Sequence, residues 1–185
     1  MSARDKVLDA FEEVLIGEGA RAATLDAVAA RAEVSKGGLL YHFRSKDALV
    51  EGLLERLAAL AAADTEKMAA DPRGPSAYYV DTSVADGSPL DRTLVAAAGL
   101  AQEALPRARE ALHAVHRAWF ELILEEVGDR AIARAIVLLG DGLYYNAVLA
   151  GVIASDEVAG REPKDRAELL EVVALLKQQA AAKTV

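Results

Sequence analysis

Three hydroxyl side chains, Thr24, Ser35 and Ser45, each stand directly before a run of helix-forming residues, and this spacing constrains the fold more than any other feature of the chain. A Ser or Thr at a helix N-cap accepts a hydrogen bond from one of the unpaired backbone N–H groups of the first turn. Caps set this close together leave room only for short helices between them. Upstream, Val7, Phe11 and Val14, with Leu8 and Leu15 beside them, form a helical stripe that Gly17 and Gly19 are expected to stop. After Thr24, Leu25, Val28, Ala29 and Ala32 face one side of a second helix, with Asp26 favourably placed in its first turn. Glu33-Val34 reads as a tight turn. Ser35 then opens a third helix whose Leu39 and Phe43, four residues apart, can both face a core. Ser45 starts a fourth, running through Leu49, Leu53, Leu57 and Leu60 to about Ala70. The N-terminal segment is therefore a trihelical head, and its second and third helices, joined by a short turn, form a helix-turn-helix.

The third helix, in the run Ser35-Lys36-Gly37-Gly38-Leu39-Leu40-Tyr41-His42-Phe43, carries two adjacent glycines, each costing about 1 kcal/mol relative to alanine. A bare front end permits close approach of another surface. In a helix-turn-helix that surface is double-stranded DNA, since the second helix enters the major groove with its N-terminal end toward the base edges. Gly37 and Gly38 allow the approach but supply no base-reading side chain. Ser35 and Lys36 can reach phosphate or base edges, and Tyr41 and His42 can bond the phosphate backbone. Ser45 and Lys46 begin a helix whose free N–H groups favour a phosphate. Phe43 is expected to lock the recognition helix onto the core of the head. The net charge of −8 argues against a polyanionic partner until its distribution is considered. Residues 1–50 hold seven basic and eight acidic side chains, net −1, whereas residues 51–185 hold fourteen and twenty-one, net −7. Between Arg31 and Lys46, four basic residues face one acid, Glu33.

Alanine and leucine dominate the apolar half of the composition and β-branched runs are scarce, which gives an all-α protein. Asp71-Pro72-Arg73-Gly74-Pro75 is the first breaker, followed by a short helix at about 78–84. Pro89 and Pro106 are placed to open further helices, the latter reaching about Val127. Two long helices follow, Arg130 to about Ser155 and Lys164 to about Ala181, on either side of a break at 157–163. The first is apolar nearly all round, through Ile132, Ile136, Leu139, Leu143, Ala147 and Ala150, with Val137 and Val148 elsewhere. Its Asp141 and Asn146 favour burial in the protein or a subunit interface over a bilayer span. The N-terminus is not a signal peptide. The absence of cysteine excludes disulfides and thiolate metal sites, and three histidines (His42, His113, His116) leave little for any other metal; none is expected, nor any cofactor. No Ser–His–Asp order, H-x-x-x-H, P-loop or G-x-G-x-x-G is present, so no enzyme is expected.

The run Thr24 to Leu49, TLDAVAARAEVSKGGLLYHFRSKDAL, resembles the N-terminal domain of the TetR family of bacterial transcriptional regulators. Val34, Ser35, Lys36, Gly37, Leu39, Phe43, Ser45, Lys46, Ala48 and Leu49 carry the likeness. It departs at Gly38, where members usually have alanine, threonine or serine, and at Leu40, where they have a tyrosine. The resemblance implies DNA contacts at Thr24, Ser35, Lys36, Gly37, Gly38, Tyr41, His42 and Lys46. It implies a DNA-binding domain at 1–46 and an effector-binding and dimerisation domain at 47–185. It further implies a cytoplasmic, membrane-free homodimer paired through its last two helices. The expected function is a repressor released from a palindromic operator by a small molecule, with an activator or effector-independent regulator of the same fold as the alternative. Candidate effector residues, polar-tipped on apolar helices, are His116, Trp119, Phe120, Asp141, Tyr144, Tyr145 and Asn146. The acidic body favours a neutral or cationic effector. Asp141, a carboxylate among apolar neighbours, requires a partner.

Overall fold

The computed structural model describes residues 2–103, 105–153 and 162–183. All regular structure among the described residues is helical, as the composition predicts: α1 (Ala3–Glu18), α2 (Leu25–Arg31), α3 (Lys36–His42), α4 (Lys46–Ala70), α5 (Pro75–Thr82), α6 (Pro89–Gln102), α7 (Pro106–Val127), α8 (Arg130–Ile153) and α9 (Glu162–Lys183). Ser155 and most of the break at 157–163 lie outside the described residues.

The hydroxyl caps act where the sequence places them. Thr24 Oγ1 accepts from the Ala27 N–H at 3.2 Å, Ser35 Oγ from Gly38 at 3.0 Å and Ser45 Oγ from Ala48 at 3.1 Å. Ser2 adds a capping box with Asp5 at the start of α1. Two boundaries differ from the sequence reading. Gly17 stays helical, and Gly19 ends α1 with φ +83°, its N–H bonded to the Leu15 carbonyl. α5 starts at Pro75, earlier than expected, because Gly74 at φ +93° turns the chain and Pro75 is preorganised for N1. Between α2 and α3, Glu33 takes φ +55°, a left-handed conformation that a non-glycine residue adopts at some cost.

The chain packs as two compact units. One comprises Met1–Ala62 with Gly87–Val115, the other Ala63–Asp86 with His116–Val185. In the first, Val7, Leu8, Phe11, Leu39, Phe43, Leu49 and Leu53 close the core of the head, and Ala96 and Leu100 of α6 join it. The sequence reading assigned α6 to the body, yet it packs on α1. In the second unit α5, α8 and α9 pack on one another. Gly140 makes the α5–α8 approach possible, because a Cβ there would lie 2.5 Å from the Tyr79 ring.

The start of α5 is tied to α7 and α9 through one carboxylate. Glu126 accepts from the Ser76 N–H at 2.8 Å, from the Ser76 hydroxyl, and from Lys177 Nζ at 2.5 Å. Burial by itself would raise the pKa of Glu126, but the bonds from Lys177 and Ser76 prevail and hold it below the ordinary glutamate value of 4.5. A carboxyl depressed on folding contributes stability that is present above its unfolded pKa and lost as pH falls through the folded one. Glu126→Gln should therefore cost about 1 kcal/mol near neutral pH. That difference should shrink as pH falls below 4.5. Urea melts of both proteins between pH 3 and 7 would check it.

Candidate nucleic-acid interface and aromatic cluster

The predicted DNA-facing residues gather on one small module. Thr24, Ser35, Lys36, Gly37, Gly38, Tyr41 and His42 are all exposed, and Lys46 is half-buried. Tyr41 is 83% exposed, a large cost in unburied aromatic surface, with its ring edge-on to His42 at 5.0 Å. A Cβ on Gly37 would meet only Ser35 Oγ at 4.0 Å, and one on Gly38 the same atom at 3.3 Å. Nothing inside the protein demands glycine at Gly37, so the bare surface faces outward. Phe43 is the opposite case. It is buried as the C-cap of α3, with the Arg4 guanidinium 5.2 Å from its ring centroid and Gly52 of α4 directly against it.

Two of the expected cations are engaged. Lys36 Nζ lies 2.9 Å from Asp26, an exposed pair of little intrinsic strength. Lys46 Nζ donates to the Ala20 carbonyl at 2.5 Å and so fastens the α1–α2 loop to the start of α4. Arg44, counted in the sequence only as charge, is exposed between α3 and α4 and makes no ion pair among the described residues. A cleft of about 500 Å³ lies beside Lys46, with Val50, Leu100, Glu103 and Leu105 among its walls.

The effector candidates divide into three groups. Trp119 and Asp141 enter one cluster, but only through residues the sequence reading passed over: Asp64, Tyr78 and Tyr79. Asp64 accepts from Tyr78 Oη at 2.8 Å and from the Trp119 indole N–H at 2.9 Å. Tyr79 Oη donates to Asp141 at 2.6 Å and is the partner Asp141 required. The Tyr79 and Trp119 rings lie 5.6 Å apart, and His116 stands exposed at the edge of Trp119. Burial, reinforced by the adjacent carboxylates, pushes both tyrosine hydroxyls well above their ordinary pKa of 10, so they remain donors. Phe120 belongs elsewhere, buried under the guanidinium groups of Arg130 and Arg134 at 5.1 and 4.6 Å. Tyr145 and Asn146 point outward and Tyr144 is half-buried. Asp64 ends an alanine-rich stretch and carries no sequence signal, whereas the adjacent pair Tyr78-Tyr79 could have drawn notice. No group of three or more metal-ligating side chains occurs among the described residues, and no helix there is long and apolar enough to cross a membrane.

A capped short helix, a tight turn and a second short helix with a bare, exposed front define a helix-turn-helix DNA-binding protein. Residues 7–53 match the family described as bacterial regulatory proteins, tetR family, and residues 73–171 match the tetracyclin repressor-like C-terminal domain. The chain belongs to the TetR family and is a DNA-binding regulator of transcription. Its fold is similar to that of a TetR-family transcriptional regulator from Rhodococcus sp., with TM-score 0.69 and 21% identity over 95% of this chain and 98% of that one. A transcriptional regulator from Streptomyces coelicolor A3(2) aligns with TM-score 0.63 and 26% identity over the same shares, 95% and 98%. The multidrug binding protein EbrR, complexed with malachite green, aligns with TM-score 0.64 and 22% identity over 94% and 96%. Among curated proteins, none matches by sequence.

Proposed function

We propose that the protein is a homodimeric repressor that a small, neutral or cationic molecule releases from a palindromic operator. Residues 1–46 bind the operator, and residues 47–185 dimerise and bind the effector. The observation that carries the reading is the outward face of α3, where Gly37, Gly38 and the exposed Tyr41 lie beside Ser35, Lys36 and His42. Thr24 and Tyr41 supply hydroxyls to phosphates, and Lys46 adds its charge where it fastens the loop.

Support for a dimer comes from α8 and α9, where Leu138 and Leu175 are 61% and 60% exposed and Tyr145 and Val172 are exposed with them. Leu139, on the sequence pattern an interface residue, is half-buried; the outward leucine is its neighbour. Uncovered apolar side chains on two adjoining helices are what a two-fold contact buries. Support for a cationic effector comes from Asp64 and Asp141 set among Tyr78, Tyr79 and Trp119, since aromatic faces and carboxylates both attract cations. EbrR, a structural neighbour, is a multidrug binding protein complexed with malachite green. An effector must bind the DNA-released state more tightly than the DNA-competent one, because equal affinity shifts nothing.

The test begins with selection of an operator from a random duplex library and light scattering of the free protein. A dimer mass is expected, with Leu138→Asp or Leu175→Asp lowering it. Cationic dyes are then screened for operator release, and Asp141→Ala should weaken release without weakening operator binding. A monomer at micromolar concentration would refute the dimer. Operator binding indifferent to every cation tried, with no effect of Asp141→Ala, would count against the effector site.

A further inference from the structure

Several cations of the second unit are neutralised inside it. Arg73 bonds Asp71 and Asp81, Arg166 lies 3.6 Å from Asp81, and Lys177 bonds Glu126. Arg134 of α8 is different, exposed and without an ion pair among the described residues. Its guanidinium rests 4.6 Å from the centroid of the buried Phe120 ring. Stacking of this kind steadies a guanidinium while its in-plane N–H donors stay available to a carboxylate. Glu171 of α9 is the matching acid, likewise exposed and without an ion pair among the described residues. Each stands one helical turn before an outward leucine of its own helix. Arg134 precedes Leu138, 61% exposed, and Glu171 precedes Leu175, 60% exposed.

The directions of α8 and α9 decide whether these two charges can meet across a two-fold axis. Arg166 reaches the Asp81 carbonyl near the end of α5, and Lys177 reaches the Arg73 carbonyl just before its start, so α9 runs antiparallel to α5. α8 begins shortly after Glu126, which bonds Ser76 in the first turn of α5. Its Gly140 lies against Tyr79 and Ser83, near the other end of α5. α8 therefore runs with α5 and against α9. A two-fold axis normal to the face that carries Leu138 and Leu175 lays α8 parallel to the partner's α9. Leu138 packed on the partner's Leu175 then sets Arg134, one turn back, beside the partner's Glu171, also one turn back. An axis along the helices gives the antiparallel arrangement, in which Arg134 meets the partner's Gln179 and Glu171 meets the partner's Gly142. Only the parallel arrangement pairs both charges.

We propose, on the reading that α8 and α9 form the two-fold contact, that Arg134 pairs with the partner's Glu171 on both sides of the axis and that this pairing selects a second copy of this chain. Leu138, Val172 and Leu175 supply an attraction that is not directional and so does not choose a register. The charges choose it, because a parallel contact joins opposite signs and other registers leave them unpaired. They also choose the partner. A related subunit with a neutral or basic side chain in place of Glu171 would leave Arg134 unpaired at the contact, and mixed dimers would be disfavoured.

The experiment uses the full-length wild type, Arg134→Glu, Glu171→Arg and the double variant, with light scattering over a dilution series and native mass spectrometry of equimolar mixtures. Two copies of either single variant place like charges together on both sides of the axis. Each such homodimer should dissociate at least about tenfold more readily than the wild type. Arg134→Glu mixed with Glu171→Arg restores both pairs, so heterodimers should rise from a statistical share of about half to about nine-tenths. The double variant should dimerise within about threefold of the wild type. A heterodimer share near half, a mixture that stays monomeric, or single variants as dimeric as the wild type would overturn the charge pairing and leave the dimer standing. A monomeric wild type would remove the dimer and the pairing together. Should Arg134→Glu fail to fold for want of its stacking on Phe120, the Glu171→Arg homodimer decides alone, and dissociation within about twofold of the wild type overturns the pairing.

Discussion

Gly52→Ala should weaken operator binding at least about tenfold, because a recognition helix held loosely by a small displacement loses its productive geometry. The protein should also be less stable by about 1–3 kcal/mol. Helix propensity alone gives the opposite sign, since alanine in place of glycine within a helix such as α4 gains about 1 kcal/mol. The neighbour decides. A Cβ on Gly52 would lie 2.7 Å from Cε1 of Phe43 and 3.3 Å from Cδ2 of Leu8, both in a packed core. Phe43 cannot yield as a flexible chain end would, because α1 and α4 enclose its ring and the Arg4 guanidinium lies over it. The strain passes along one residue to α3, which ends at His42. Melting curves and a gel-shift titration on the same preparation would separate the two effects.

Gly37→Ala should separate the same two quantities in opposite directions. No protein atom crowds the new methyl, and Gly37 is not among the residues with positive φ, so alanine fits the helix as it stands. The free protein should gain up to about 1 kcal/mol. Operator affinity should fall about tenfold or more, because the methyl projects from the face that must approach the duplex. Gly38→Ala should have a smaller effect on both. Its Cβ meets Ser35 Oγ at 3.3 Å, which offsets part of the helical gain, and the family tolerates small side chains there. A gain in stability paired with a loss of affinity would place the reason for glycine at Gly37 in a partner outside the protein.

The features legible in the sequence were those fixed by neighbours in the chain. Thr24, Ser35 and Ser45 each satisfy an N–H three residues on, so a local pattern was enough to place the starts of α2, α3 and α4. Gly17 misled for the same reason: a glycine in a helix costs little enough to be tolerated once Gly19, two residues later, supplies the left-handed turn. Packing between distant segments was hidden. Nothing in residues 89–102 announces that Ala96 and Leu100 complete the core of the head, or that Thr93 meets Glu12 across 81 residues of sequence. The aromatic cluster was half visible. Trp119 and Asp141 stood out as polar-tipped or charged groups on apolar helices, but their connection runs through Tyr79 and, by way of Trp119, to Asp64, which only the fold brings near. Lys46 was legible as a cation and not as a tie to the Ala20 carbonyl, because a side chain's choice of partner is not written in its spacing.

The most direct test of the recognition face is a fluorescence-anisotropy titration of a selected operator duplex by wild type and Gly37→Ala, at several salt concentrations, paired with thermal melting of each protein. The wild type should bind with affinity that falls linearly in log–log form as salt rises, the mark of phosphate contacts. Gly37→Ala should melt at a higher temperature and bind more weakly at every salt concentration. A variant that melts higher yet binds the operator as tightly as the wild type would contradict the account, because the bare front of α3 would then not be the surface that meets DNA.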